Sequence, residues 1–94
     1  MKLVWTKQAI ADLNAAYDYV AETSPDAARA IIERIEKSLE SMRQFPEMGR
    51  PGRVKDTREV VVPRTPFILP YRVKKNRIEI LAVLHGYRRW PDIF

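Results

Sequence analysis

The sequence predicts an α+β domain, an N-terminal strand and an αα-hairpin packed on a small antiparallel sheet in the order β-α-α-β-β-β. Three observations carry this. Apolar residues recur at spacings of three and four through the first half and are interrupted at Ser24-Pro25; beyond Arg50 the texture changes to short β-branched runs; and the links between those runs are brief and turn-rich. With 94 residues there is room for one core, so residues 1–94 form a single domain.

Lys2 to Trp5 is a short apolar run suited to a strand, and Thr6 after it can cap a helix by accepting from one of the first free backbone N–H groups. From Lys7 to about Glu22, Ile10, Leu13, Tyr17 and Val20 form a stripe expected to face the core, Tyr17 included, with Asp12, Asn14 and Asp18 on the other side. Ser24-Pro25 starts a second helix, since proline at the first helical position needs no partner for its missing N–H. Ala28, Ile31, Ile35, Leu39 and Met42 keep helical phase to about Arg43, and Pro46 stops it. So short a connection makes the two helices an antiparallel hairpin.

Pro46 to Asp56, with two glycines and two prolines, reads as a basic loop. Three strands follow, Arg58 to Val62, Phe67 to Val73 and Arg77 to Leu84, joined by Pro63-Arg64-Thr65-Pro66 and Lys74-Lys75-Asn76 and therefore antiparallel to their neighbours. Pro70 inside the second run predicts a bulge or a missing ladder bond. The last strand is apolar on both faces at its centre and belongs inside the sheet.

Charge is polarised along the chain. Residues 50 to 94 carry eleven Lys/Arg against four Asp/Glu, whereas residues 1 to 49 carry six against eight. A basic sheet suits an acidic partner, either a polyanion or an acidic protein segment. The absence of cysteine excludes disulfides and thiolate metal sites, and one histidine excludes an all-histidine site within one copy, so neither metal nor cofactor is expected. This profile suits the cytosol. The opening Met1-Lys2-Leu3-Val4-Trp5 turns polar by Thr6, short of a signal sequence, and no apolar run approaches the roughly 20 residues of a membrane span.

Arg58, Arg64, Arg72, Arg88 and Arg89 are the candidate partner-binding residues, because guanidinium offers two parallel donors to carboxylate or phosphate. Trp90 joins them as an anchor, or else folds back to close the core. His85, the sole imidazole, reads first as a strand-exit histidine satisfying a backbone carbonyl. The alternative is catalytic: His85 as proton-transfer group with Arg88 or Arg89 as phosphate clamps, and Arg72 as a further catalytic candidate.

The ordered set Thr57-Arg58-Glu59-Val60-Val61-Val62, then Phe67-Ile68-Leu69-Pro70-Tyr71-Arg72-Val73, then Ile80-Leu81-Ala82-Val83-Leu84-His85-Gly86-Tyr87-Arg88-Arg89-Trp90-Pro91 resembles the RelE/ParE superfamily of bacterial type II toxins, and looks most like its ParE side. The resemblance spans nearly the whole chain. It implies a growth-inhibiting toxin in a hetero-oligomer with a cognate antitoxin whose acidic C-terminal segment wraps it. On the ParE side it implies inhibition of DNA gyrase, a type II topoisomerase, without catalysis. On the RelE side it implies a ribosome-dependent messenger endoribonuclease that needs no metal. Sliding the RelE-like cationic pattern onto this chain through Tyr71 puts Glu59, Val61 and Ile68 where basic residues are expected, and a glutamate there repels phosphate. A binding role is therefore favoured over catalysis, with a plain nucleic-acid-binding module as the remaining alternative.

Overall fold

The computed structural model describes residues 1–87, 89–91 and 94. Strand β1 (Lys2–Trp5) leads into helices α1 (Lys7–Thr23) and α2 (Pro25–Gln44), followed by β2 (Arg50–Pro51), β3 (Arg58–Val61), β4 (Phe67–Lys74), β5 (Arg77–Ile80) and β6 (Leu84–His85). Both helix starts are capped as the sequence predicts. Thr6 Oγ1 accepts from the Ala9 N–H at 3.1 Å and Ser24 Oγ from the Ala27 N–H at 3.1 Å. Ser24 also ends α1, its own N–H donating to Val20 O at 2.9 Å, so one residue is the whole connection.

The strands form one sheet in the order β1-β5-β4-β3-β2, with β6 pairing β4. Neighbours β3, β4 and β5 are antiparallel as expected, and β2 pairs β3 antiparallel too, but β1 runs parallel to β5, so the sheet is mixed rather than wholly antiparallel. The reason lies at the far end of β1. Running alongside β5 brings Thr6 to the place where β5 stops, and there its N–H reaches Ile80 O at 3.1 Å and its hydroxyl reaches Leu81 O at 3.2 Å. The helical hairpin and the strands after it supply the long crossover that a parallel pair requires. The expected loop after Pro46 also contains β2, which pairs Arg50 with Glu59.

The helices cover one face of the sheet. Ala9 on α1 and Ile35, Leu39 and Met42 on α2 pack against Val60, Leu69, Tyr71, Ile78 and Ile80, all buried. The α2 stripe matches the sequence, whereas α1 is turned relative to its predicted stripe: Ile10 and Tyr17 are 48% and 37% exposed, Ala9 is fully buried and Asp12 is half-buried. A small residue at position 9 lets the helix approach closely, and a polar one at position 12 is needed by the backbone beneath it.

That need comes from a bulge. Ile80 pairs with Tyr71 and Leu84 with Ile68, so the three residues Leu81, Ala82 and Val83 face only Leu69 and Pro70. Pro70, which has no N–H to offer, still accepts from the Leu81 N–H at 2.9 Å. The remaining bulge groups turn to α1: Val83 N–H donates to Asp12 Oδ2 at 3.1 Å, and Leu81 O accepts from Thr6. The strand read as Arg77 to Leu84 is therefore two strands separated by three residues, one more than the partner strand presents to them.

Tyr71 ties the other end together. Its buried hydroxyl donates to Pro46 O at 2.7 Å and accepts from the Gly49 N–H at 2.9 Å. A Cβ at Gly49 would lie 2.7 Å from that oxygen, so only glycine lets the backbone come this close. Burial pushes the Tyr71 phenol above its usual range, outweighing the Gly49 hydrogen bond that favours the anion.

Two stability outcomes follow from these contacts. Tyr71→Phe leaves the Pro46 carbonyl and Gly49 N–H unpaired and should lower unfolding free energy by about 1–3 kcal/mol in denaturant titration at neutral pH. Because the folded phenol ionises less readily than the unfolded one, Tyr71 stabilises fully below the ordinary tyrosine pKa and progressively less as pH rises through the folded value. An alkaline decline in wild type that is smaller in Tyr71→Phe is the expected result. Asp12→Ala, which strands the Val83 N–H, should likewise cost about 1–3 kcal/mol, and Asp12→Asn, which keeps an acceptor oxygen, clearly less.

Candidate functional site

Strand alternation places Glu59 on β3, Pro70 and Arg72 on β4 and Glu79 on β5 on the sheet face away from the helices. Two carboxylates organise it. Glu59 is 3% exposed, and its Oε1 accepts from Arg50 Nε at 3.1 Å and Nη2 at 3.0 Å, while Oε2 accepts from the Arg53 backbone N–H at 2.8 Å, with Arg53 Nε 3.9 Å away. Glu79 bridges the neighbouring pair: Oε1 accepts from Arg72 Nε and Oε2 from Arg77 Nε, both at 2.8 Å. Hydrogen bonds from Arg72 and then Arg77 hold the Glu79 carboxyl below the usual carboxylate range.

The loop carrying Arg53 is drawn tight by Gly52, whose N–H donates to Thr57 O at 2.8 Å and whose Cα faces the Thr57 hydroxyl so closely that any Cβ would collide with it. Beyond β6 the chain returns over this region. The Arg53 guanidinium lies 3.8 Å from the centre of the Trp90 ring, and Trp90 Nε1 donates to His85 O at 3.3 Å. Trp90 is half-buried here, stacked on Arg53 rather than packed into the core cluster.

The predicted partner-binding arginines do not converge on one face. Arg58 projects to the helix side, where Nη1 donates to Glu47 O at 3.1 Å and Gly49 O at 2.9 Å, pinning the segment after α2. Arg64 sits in the β3–β4 turn with a φ of 60° and an exposed side chain, its carbonyl accepting from Arg34 Nη1 at 3.4 Å. Arg72 is on the open face with Glu79; Arg89 is exposed near Trp90. Arg88 lies outside the described residues.

His85 opposes Phe67 in β6, and the two rings meet edge to face with centres 6.0 Å apart. Nδ1 accepts from the Tyr87 N–H at 3.2 Å, rather than the ring donating to a carbonyl, so the neutral imidazole carries its proton on Nε2. Phe67 belongs to the helix side of β4, whereas Arg72 is five residues further along on the opposite side, about 17 Å away at ordinary strand rise. The structure does not bring His85 and Arg72 together.

Arg50, Arg53 and Arg77 are open-face arginines that sequence reasoning passed over. A signal existed for Arg77: the two-residue turn Lys75-Asn76 fixes the hairpin register, which sets Glu79 opposite Arg72 with Arg77 two places before it. Nothing comparable links Arg50 to Glu59 across an irregular loop. A cleft of about 890 Å³ opens where α2 ends; Met1, Phe45, Met48 and Val73 give it apolar walls, and Arg58 and Arg72 border it. Phe45 is 65% exposed there.

Comparison with known proteins agrees with this geometry. Residues 3–90 match the family described as the ParE toxin of the type II toxin-antitoxin system, parDE. The chain is 37% identical over 92 residues to Y4kP of Sinorhizobium fredii, a protein named as a toxin, covering 98% of this chain and 95% of that one. It is 34% identical over 87 residues to Toxin RelE2 of Caulobacter vibrioides, covering 93% and 97%. Among solved structures it superposes on a chain of the chromosomal ParDE TA system from P. aeruginosa with a TM-score of 0.80 and 36% identity, covering 90% and 95%. The YoeB/ParE toxin from Agrobacterium tumefaciens shares the fold, with a TM-score of 0.63, 22% identity and coverage of 93% and 100%. A helical hairpin on one side of a mixed sheet, a basic face on the other and a match from the first strand to Trp90 together place this chain in the ParE toxin family of type II toxin-antitoxin systems.

Proposed function

We propose that this toxin arrests growth by occupying a protein in the cytoplasm, DNA gyrase being the favoured target, and that a cognate antitoxin with an acidic C-terminal segment neutralises it in a hetero-oligomer. One observation carries the binding reading. Cleavage of RNA without a metal requires a proton-transfer group and a phosphate-stabilising cation within reach of the same phosphodiester. Here the sole imidazole is on the helix side of β4, whereas Arg72, one of the cations expected to act with it, is on the other side and tied to Glu79. The choice of gyrase rests on membership of the ParE family and on the resemblance that first suggested it.

A second reading, ribosome-dependent messenger cleavage, is favoured by the RelE designation of the Caulobacter relative. The antitoxin is assigned to the cleft beside Phe45, because exposed Phe45 and Met48 offer apolar anchorage while Arg58 at its margin suits acidic side chains.

Expression of the toxin without its antitoxin distinguishes the readings. Loss of supercoiling activity with toxicity intact in His85→Ala is expected; messenger cleavage by primer extension, abolished in His85→Ala, would overturn the binding reading. Phe45→Asp, at a site too exposed to destabilise the fold, should weaken antitoxin binding at least tenfold, corresponding to about 1.4 kcal/mol or more, in calorimetric titration.

A further inference from the structure

We propose that Glu59 and Glu79 are specificity-determining residues that close the basic sheet face to single-stranded nucleic acid. Each acts as a built-in anion, occupying the place between two arginines that a backbone phosphate would take. This deepens the reading of the toxin as a protein binder and rests on it for its purpose.

The geometry supplies the reasoning. Strand alternation and the loop at Arg53 gather Lys2, Arg50, Arg53, Arg72, Lys74 and Arg77 on the face away from the helices, against Glu59 and Glu79. Six cations on a sheet would be a sequence-indifferent site for a phosphate chain. The four arginines are accessible enough to serve one, their side chains being 39% to 51% exposed. Yet both carboxylates beneath them are nearly buried, with side chains 2% and 12% exposed, and each holds two of the arginines.

A carboxylate that accepts from Nε, as Glu59 does from Arg50 and Glu79 from both Arg72 and Arg77, takes one of the two edges through which a guanidinium makes two-point contacts and offsets its charge, leaving an incoming phosphate the other edge beside a fixed anion. Trp90 adds to this by covering one face of the Arg53 guanidinium. A phosphate at the remaining edge sits close to a carboxylate that cannot leave and is repelled by it. A protein surface has no such requirement, since it can present neutral acceptors or apolar atoms.

The test is binding of a fluorescein-labelled single-stranded RNA by the full-length purified chain, followed by fluorescence anisotropy between about 50 and 200 mM salt. Wild type should bind weakly. Glu59→Gln combined with Glu79→Gln should bind roughly 10- to 30-fold more tightly near about 100 mM salt, with log K falling more steeply by about 1.4 per decade of salt, since two phosphate contacts are gained. Glu79→Gln alone, at a position the fold depends on less, should steepen the slope by about 0.7, and adding Arg72→Gln to it should remove the gain.

Tight, steeply salt-dependent binding by wild type would overturn the proposal, as would no gain in Glu79→Gln with its thermal unfolding unchanged. Because RNA binding is read on the isolated chain, it is separable from the supercoiling assay. A gain in the variants alongside a wild type that leaves gyrase untouched upholds the carboxylate shield and overturns the target; inhibition of gyrase with no gain in either folded variant overturns the shield alone.

Discussion

One extra residue in the strand opposite Pro70 governs how the two sides of this sheet are used. Without it, the strand that begins at Arg77 would continue in step, and His85 would share the side of Glu79 and Leu81, the basic side. Three residues facing two shift the pairing by one, so that His85 meets Phe67 on the helix side. The same irregularity exposes backbone groups that must be satisfied, and α1 is set down where Thr6 and Asp12 can do so. A single backbone accommodation thus seats a helix and puts the imidazole on the opposite side of the sheet from Arg72 and Arg77.

The rest of the open face is arranged by charge within the chain. Arg50, Arg53, Arg72 and Arg77 appear as four cations in the sequence, but in the fold they form two groups around buried or nearly buried carboxylates. Formal net charge of +5 therefore overstates what a phosphate would meet on this side. A glutamate with so little solvent is stabilised only by such partners, and the loop from Gly52 to Thr57 is held closed by the Arg53 N–H bonded to Glu59 and the Gly52 N–H bonded to Thr57 O.

Much of the architecture was legible because it follows from local rules. Thr6 and Ser24 cap where their hydroxyls predict, α2 buries the stripe that its spacing marks, and Pro70 announces an irregularity. The errors have physical causes. The stripe through Ile10 and Tyr17 is apolar, but α1 is oriented by Ala9, whose smallness permits contact, and by Asp12, whose acceptor the bulge demands; hydropathy alone ranks both wrongly. The parallel pairing of β1 depends on a partner more than seventy residues away in sequence and has no local signature. At the site, Arg58 was legible as a cation but not as one that turns inward, because the carbonyls of Glu47 and Gly49 that capture it belong to an aperiodic segment. Glu59 was legible as a residue hostile to phosphate, and its arginine partners became evident only through β2, a two-residue strand hidden in a loop.

The economy of Ser24 has a mechanical outcome. Because its N–H closes α1 and its hydroxyl opens α2, there is no slack between them, and neither helix can unwind at that end without releasing the other. The pair should therefore behave as a single lever: a macromolecule that pulls on the exposed flank of α1 will displace α2 with it, carrying strain to Phe45 at the opposite tip of the hairpin.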